Sequence, residues 1–138
     1  MQATQITTNS KQSENMQTAS ILLVDDEPHI LTALKFLMTQ EGYEVVTATN
    51  GAEALNVMDS FRPDVVVLDV MMPGMDGFEV AKEIRNNYQL NKTQIIFLTA
   101  KGTKEGRRAG YRAGGEIYLT KPFDNDEFVE SVTYALQF

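Results

Sequence analysis

Between Ser20 and Phe138 a short apolar run gives way to a segment of helical spacing five times over. The runs are Ile21–Val24, Tyr43–Ala48, Val65–Leu68, Ile95–Leu98 and Ile117–Leu119. After the first, Ile30, Leu34, Leu37 and Met38 recur on one helical face. Ala52, Leu55 and Met58 follow the second run, and Val80, Ala81 and Ile84 the third. A weaker segment near 103–113 follows the fourth, and Phe128, Val132, Ala135 and Leu136 follow the last. Strand–helix alternation at this spacing predicts an α/β fold, a parallel sheet covered by helices on both faces.

Burial orders the strands. A run apolar at every position suits a strand buried on both sides, whereas a mixed run suits an edge. The first, third and fourth runs are continuously apolar, and the second is mixed. The order 2-1-3-4-5 puts the former in the centre and the second and fifth at the edges. This is the doubly wound, flavodoxin-like (βα)5 arrangement.

A chain of 138 residues suits one domain. The domain is expected over residues 20–138. Residues 1–19, rich in Gln, Thr, Ser and Asn, read as a disordered polar leader, too poor in apolar surface to offset ordering entropy. The chain has no Cys, which excludes disulfides and thiolate metal sites. No apolar stretch approaches the length of a membrane span or signal h-region, so a cytoplasmic setting is expected. Formal net charge is −7; Lys11 and Glu14 cancel within the leader, so the negative charge belongs to the folded part. Such a domain is repelled by polyphosphate, which argues against direct nucleic-acid binding and suits a hard cation or a basic partner.

In an open α/β sheet, ligands bind beyond the carboxyl ends of the strands, where the strand order reverses. For 2-1-3-4-5 that point lies between strands one and three. Asp25 and Asp26 follow strand one, Asp69 ends strand three, Thr99 ends strand four and Lys121 follows strand five. Taken singly, each has an ordinary explanation. Asp25-Asp26-Glu27-Pro28 suits a helix start, Asp69 a turn, Thr99 a strand and Lys121 a solvated surface. Jointly, they place three carboxylates, a hydroxyl and an ammonium on one sheet edge. Clustered carboxylates raise one another's pKa unless a cation intervenes, and an all-oxygen site suits Mg²⁺. Asp69 is then a nucleophile for a phosphoryl group, Thr99 a donor to one phosphoryl oxygen and Lys121 a point charge for another. An ionised carboxylate needs no general base, and the lone His29 reads as a partly exposed residue of the first helical turn.

Four segments in order, VDDEP, VVLDVMMPGMDGFEV, IIFLTA and IYLTKPF, are similar to the receiver domains of two-component response regulators. The resemblance runs from about Ser20 to Phe138. It implies an acidic pocket of Asp25 and Asp26, with Asp26, Asp69 and the backbone carbonyl of Met71 touching Mg²⁺. It implies phosphorylation of Asp69 by a phosphohistidine of a sensor histidine kinase or histidine phosphotransfer protein. Thr99 and Tyr118 would be the switch pair, Lys121 the phosphate contact and Lys121-Pro122 a cis bond. Such a domain is a phosphoacceptor switch acting on an output domain or partner protein, and not an enzyme, although it assists its own phosphotransfer and slow autodephosphorylation. Homodimerisation through helix four, strand five and helix five is a further implication.

The chain departs from the family pattern before its fifth strand, where Gly115-Glu116-Ile117 replaces the frequent Ala-Asp-Asp. The preceding helix carries Gly106 and Gly110 beside Arg107, Arg108 and Arg112. Each interior Gly costs a helix about 0.8–1.0 kcal/mol relative to Ala, which predicts a locally unstable fourth helix. Two residues beyond Asp69 and Thr99 stand Met71 and Lys101, neither of which suits the orientation of a hydrolytic water. A long-lived phosphoryl state is expected. Two other classes fit less well. A flavodoxin-like FMN binder needs a neutral phosphate loop where Asp25-Asp26-Glu27 stands, and a phosphohydrolase using Asp69 lacks a carboxylate at Met71.

Overall fold

The computed structural model describes residues 18–100 and 102–137. The elements run β1 Ser20–Val24, α1 Pro28–Gln40, β2 Glu44–Ala48, α2 Gly51–Met58, β3 Val65–Asp69 and α3 Gly77–Arg85. A 3-10 turn, Tyr88–Leu90, precedes β4 Gln94–Thr99, α4 Lys104–Arg112, β5 Ile117–Thr120 and α5 Asn125–Ala135. The five strands form one parallel sheet in the order β2-β1-β3-β4-β5. This is the flavodoxin-like order expected from burial. The central strands are apolar and buried along nearly their whole length, while β2 and β5 are half-buried.

Two apolar layers flank the sheet. Leu31, Leu34 and Met38 of α1 join Phe128, Val132 and Ala135 of α5 against Ile21, Leu23, Val65, Val67, Ile96 and Leu98. On the opposite face Ala54, Met58, Val80, Ile84 and Ala113 pack against Leu22, Val24, Val66, Leu68 and Phe97. Burying each large aliphatic side chain contributes roughly 1.5–3 kcal/mol, so the alternation of faces along each strand fixes the register.

Polar residues set where the helices begin. Asp76 and Asp124 accept from the N–H of Glu79 and Glu127, whose side chains return the bond, giving capping boxes for α3 and α5. Asn50 caps α2 and Thr103 caps α4. At the end of α1, Gly42 at φ +93° lets Tyr43 N–H reach the carbonyl of Met38. The leader expected over 1–19 falls outside the described residues except at its end, where the Ala19 carbonyl accepts from Glu44 N–H.

The fourth helix runs unbroken over Lys104–Arg112, with Gly110 buried. Its glycines have a use that helix propensity does not reveal. They face Tyr118: a Cβ at Gly106 would crowd its hydroxyl, and one at Gly110 the edge of its ring. Among the described residues, no helix is long and apolar enough to cross a membrane.

Candidate functional site

The site forms where β1, β3, β4 and β5 end together. Asp25 continues β1 by one backbone bond, its N–H donating to the Ala48 carbonyl at 3.2 Å. Its Oδ1 accepts from Glu27 N–H at 2.9 Å, an Asx-type turn that delivers the chain to Pro28 at the start of α1. Asp25 thus gives one oxygen to the turn before α1 and turns the other toward Lys121. Oδ2 lies 3.4 Å from Lys121 Nζ.

Asp69 is the last residue of β3, and the loop beyond it is held close. Val70 N–H donates to the Leu98 carbonyl, and Gly77 N–H donates to the Val70 carbonyl. A Cβ at Gly77 would stand 2.5 Å from the Asp69 carbonyl oxygen, so the approach of α3 to the end of β3 requires glycine. Lys121 reaches the same place from β5. Its N–H donates to the Thr99 carbonyl at 2.7 Å, which extends the pairing of β4 and β5 past Thr120. Its ammonium lies 3.6 Å from Asp69 Oδ1. The Lys121-Pro122 bond is cis.

Asp25 and Asp69 are only 1% and 4% exposed, whereas Asp26 is exposed. One oxygen from each of the three carboxylates lies within 4.8 Å of the others. Burial raises the pKa of Asp25 above the ordinary carboxylate value, against the pull of the Glu27 N–H and Lys121. Burial, followed by repulsion from Asp25, pushes Asp69 up to about 6, although Lys121 and the Met71 N–H oppose the shift. A carboxylate cluster that holds protons this tightly is short of positive charge. Addition of an oxygen-preferring cation meets that shortage, and the all-oxygen donor set fits Mg²⁺. A flavin phosphate would meet the same excess of negative charge with no compensating loop.

Thr99 is buried at the end of β4, in register with Thr120. Tyr118, two residues earlier on β5, is buried against Phe97 at 6.3 Å between ring centroids. Met71, two residues beyond Asp69, is 60% exposed. His29 is exposed at the start of α1, and with Ile30, Ala33, Lys121, Pro122 and Phe123 it lines a largely apolar cleft adjoining the site. Lys101 lies outside the described residues.

Two arrangements were not visible in the sequence. Arg107 lies over the Tyr118 ring and reaches the Thr120 hydroxyl. Arg85 bonds the carbonyls of Thr93 and Gly114 and pairs with Glu116. Neither pairing follows a local period. The four-residue spacing of Gly106 and Gly110 was the one available hint of close packing on α4.

A family model described as the response regulator receiver domain matches residues 21–133. Among solved structures, the chain is similar to the chemotaxis protein CheY4 of Vibrio cholerae. That match has 35% identity and a TM-score of 0.84 over 87% of this chain and 100% of the other. It is similar to the receiver domain of a Francisella response regulator at 32% identity and TM-score 0.80, covering 87% and 98% of the two chains. It also matches DrrB, an OmpR/PhoB homologue of Thermotoga maritima, at 32% identity and TM-score 0.79. There it covers 88% of this chain and 54% of the longer one.

Proposed function

Given that the chain belongs to the response regulator receiver domain family, we propose that it accepts a phosphoryl group on Asp69 and relays the change through Thr99 and Tyr118. The observation that carries this reading is the convergence of Asp25, Asp26 and Asp69, with Lys121 3.4 Å from the first and 3.6 Å from the last. The donor is a phosphohistidine of a sensor histidine kinase or phosphotransfer protein. A carboxylate oxygen of Asp69 forms a bond to phosphorus as the N–P bond breaks, and the bonding pair returns to the imidazole nitrogen. Lys121 neutralises charge on the transferred group, and the Thr99 hydroxyl donates to one of its oxygens. Asp25, Asp26, Asp69 and the Met71 carbonyl would hold Mg²⁺, which when bound supplies positive charge against an incoming phosphoryl oxygen.

The apolar cleft of Ile30, Ala33, Pro122 and Phe123 opens beside Lys121 and offers the donor protein a surface next to the acceptor. Self-association through α4, β5 and α5 is supported by the half-exposed Tyr111 and Tyr134. It is supported also by Arg108 and Arg112 on α4, opposite in charge to Glu127 and Glu130 on α5. The receiver unit is residues 20–138, residues 1–19 are a polar leader, and the setting is cytoplasmic.

The test is intact mass after incubation with a small acyl phosphate and Mg²⁺, beside an Asp69→Asn control. One added phosphoryl group, dependent on the metal and absent from the control, is the expected result. Equal uptake by the control would refute Asp69 as the acceptor.

A further inference from the structure

The chain carries seven Met and no Cys. Its sulfur chemistry is therefore thioether chemistry, with no thiol to intercept an oxidant. Burial sorts the methionines of the described residues. Met38 is 0% exposed, Met58 2% and Met72 7%, while Met75 is half-buried against the core. Met71 is 60% exposed and is the most open thioether of these five.

That side chain belongs to a residue whose backbone is tied to the acidic site. The Met71 N–H is hydrogen-bonded to the Asp69 carboxylate. Val70 and Met72, on either side, are buried. Val70 N–H donates to the Leu98 carbonyl, and the Val70 carbonyl accepts from Gly77 N–H. The main chain through Met71 is thus held while its side chain stands in solvent. Its Cα is one covalent bond from the nitrogen that contacts Asp69, so whatever the side chain carries stays near that carboxylate.

We propose that the Met71 thioether is a modification site for hydrogen peroxide, and that its sulfoxide orients the water that removes a phosphoryl group from Asp69. The second half rests on the acceptor reading; the first does not. In the oxidation, a sulfur lone pair attacks one peroxide oxygen, the S–O bond forms and the O–O bond breaks. The departing hydroxide takes the proton left on the transferred oxygen and leaves as water. Sulfur gives up two electrons, which reduce the peroxide. A thioether accepts hydrogen bonds only weakly. The sulfoxide oxygen is polar and accepts them well, so oxidation installs beside Asp69 the acceptor that the sequence lacks there. Peroxide then shortens the life of the phosphorylated state.

Limited peroxide treatment of the full chain, quenched with catalase and mapped by peptide mass, tests the site. Met71 should gain one oxygen at least about tenfold faster than Met38, Met58 or Met72, as burial behind a local opening requires. The treated protein is then phosphorylated with a small acyl phosphate and Mg²⁺, and decay of the added mass is followed after donor removal. Oxidised wild type should lose the phosphoryl group severalfold faster than untreated protein. Met71→Leu should show the same decay before and after treatment, which accounts for every other methionine. Met71→Gln, with a permanent amide oxygen, should decay fast from the outset and ignore peroxide.

Oxidation of Met71 no faster than that of Met72 would overturn the modification site. An unchanged lifetime in protein mapped as Met71 sulfoxide would overturn its effect, and so would equal acceleration in Met71→Leu. Oxidised protein that no longer accepts phosphoryl groups would also overturn it, since the sulfoxide would then obstruct Asp69. If Met71→Leu does not fold, insensitivity of Met71→Gln to peroxide decides. Failure of untreated wild type to take up a phosphoryl group refutes the acceptor reading and the lifetime effect together, and the mapped oxidation rates still judge Met71 as the site.

Discussion

The ammonium of Lys121 lies 3.6 Å from Asp69 Oδ1, and the same ammonium is 3.4 Å from Asp25 Oδ2. One cation thus serves two buried carboxylates. On the proposed function it would compete for the space and charge that a divalent ion takes, yet favour transfer of an anionic group to Asp69. Lys121 therefore acts in opposite directions on two measurable quantities.

Lys121→Ala should bind Mg²⁺ more tightly, by at least about tenfold, because removal of a unit charge near a divalent ion relieves on the order of 1–2 kcal/mol of repulsion even at the dielectric of water. The same variant should take up phosphoryl groups at least about tenfold more slowly, the loss of one charge-assisted contact in the transition state. Metal titration and mass-resolved kinetics check the two halves. Unchanged uptake would place Lys121 outside the phosphoryl contact, and weaker metal binding would contradict its competition with the ion.

Asp69 links the site to stability. Its pKa rises from 3.8 in the unfolded reference to about 6 in the folded protein. Between those values the native state binds more protons than the unfolded state, so metal-free stability should fall as pH rises from 3.8 to about 6 and level off above. The ceiling on this term is about 3 kcal/mol, reduced by the relaxation that a partly polar site allows. Asp69→Asn should remove most of the slope and melt a few degrees higher than wild type at pH 7.5 in chelator. Added Mg²⁺ should narrow the gap. Melting curves at pH 5 and 7.5 that run parallel for both proteins would contradict this assignment.

Met71, two residues beyond Asp69, is exposed and cannot direct a water by a strong hydrogen bond. Met71→Asn should shorten the lifetime of the phosphorylated protein severalfold, read from the decay of the modified mass after donor removal. An unchanged lifetime would mean that another group controls water at the site.

Gly77→Ala should destabilise the fold by about 1–3 kcal/mol, since its methyl would enter the space of the Asp69 carbonyl and force α3 from β3. Metal affinity should fall with it, because the acceptor strand and its loop shift together. Thermal melting and Mg²⁺ titration report the two effects. A variant as stable as wild type would show that the loop yields without moving Asp69.

The sheet order could be read before any coordinates because parallel strands carry their environment in their composition. Ile21–Val24, Val65–Leu68 and Ile95–Leu98 are apolar at every position since both faces are covered, and those strands are central. Asp25, Asp69, Thr99 and Lys121 were legible for a related reason. Each stands at or next to the end of such a run, so the order of the strands brings them together without knowledge of any rotamer. Contacts between helices and distant backbone left no such trace. Arg85 reaches Thr93 and Gly114, and Arg107 reaches Tyr118, by long side chains whose targets are set only in three dimensions. Gly106 and Gly110 illustrate the limit of a local scale. Propensity counts them as a loss to α4, whereas the ring of Tyr118 occupies the room they leave.

The far ends of β4 and β5 are pinned. Ile95 N–H donates to a carboxylate oxygen of Glu116 at 2.7 Å, Glu116 N–H donates to the Ile95 carbonyl, and Arg85 bonds the same carboxylate. From Ile95 to Thr99 the strand extends about 13 Å, so a tilt of about 5° at the pinned end sweeps the other by about 1 Å. Glu116 and Arg85 thus tie the two strands together at the end of the sheet opposite Thr99 and Lys121.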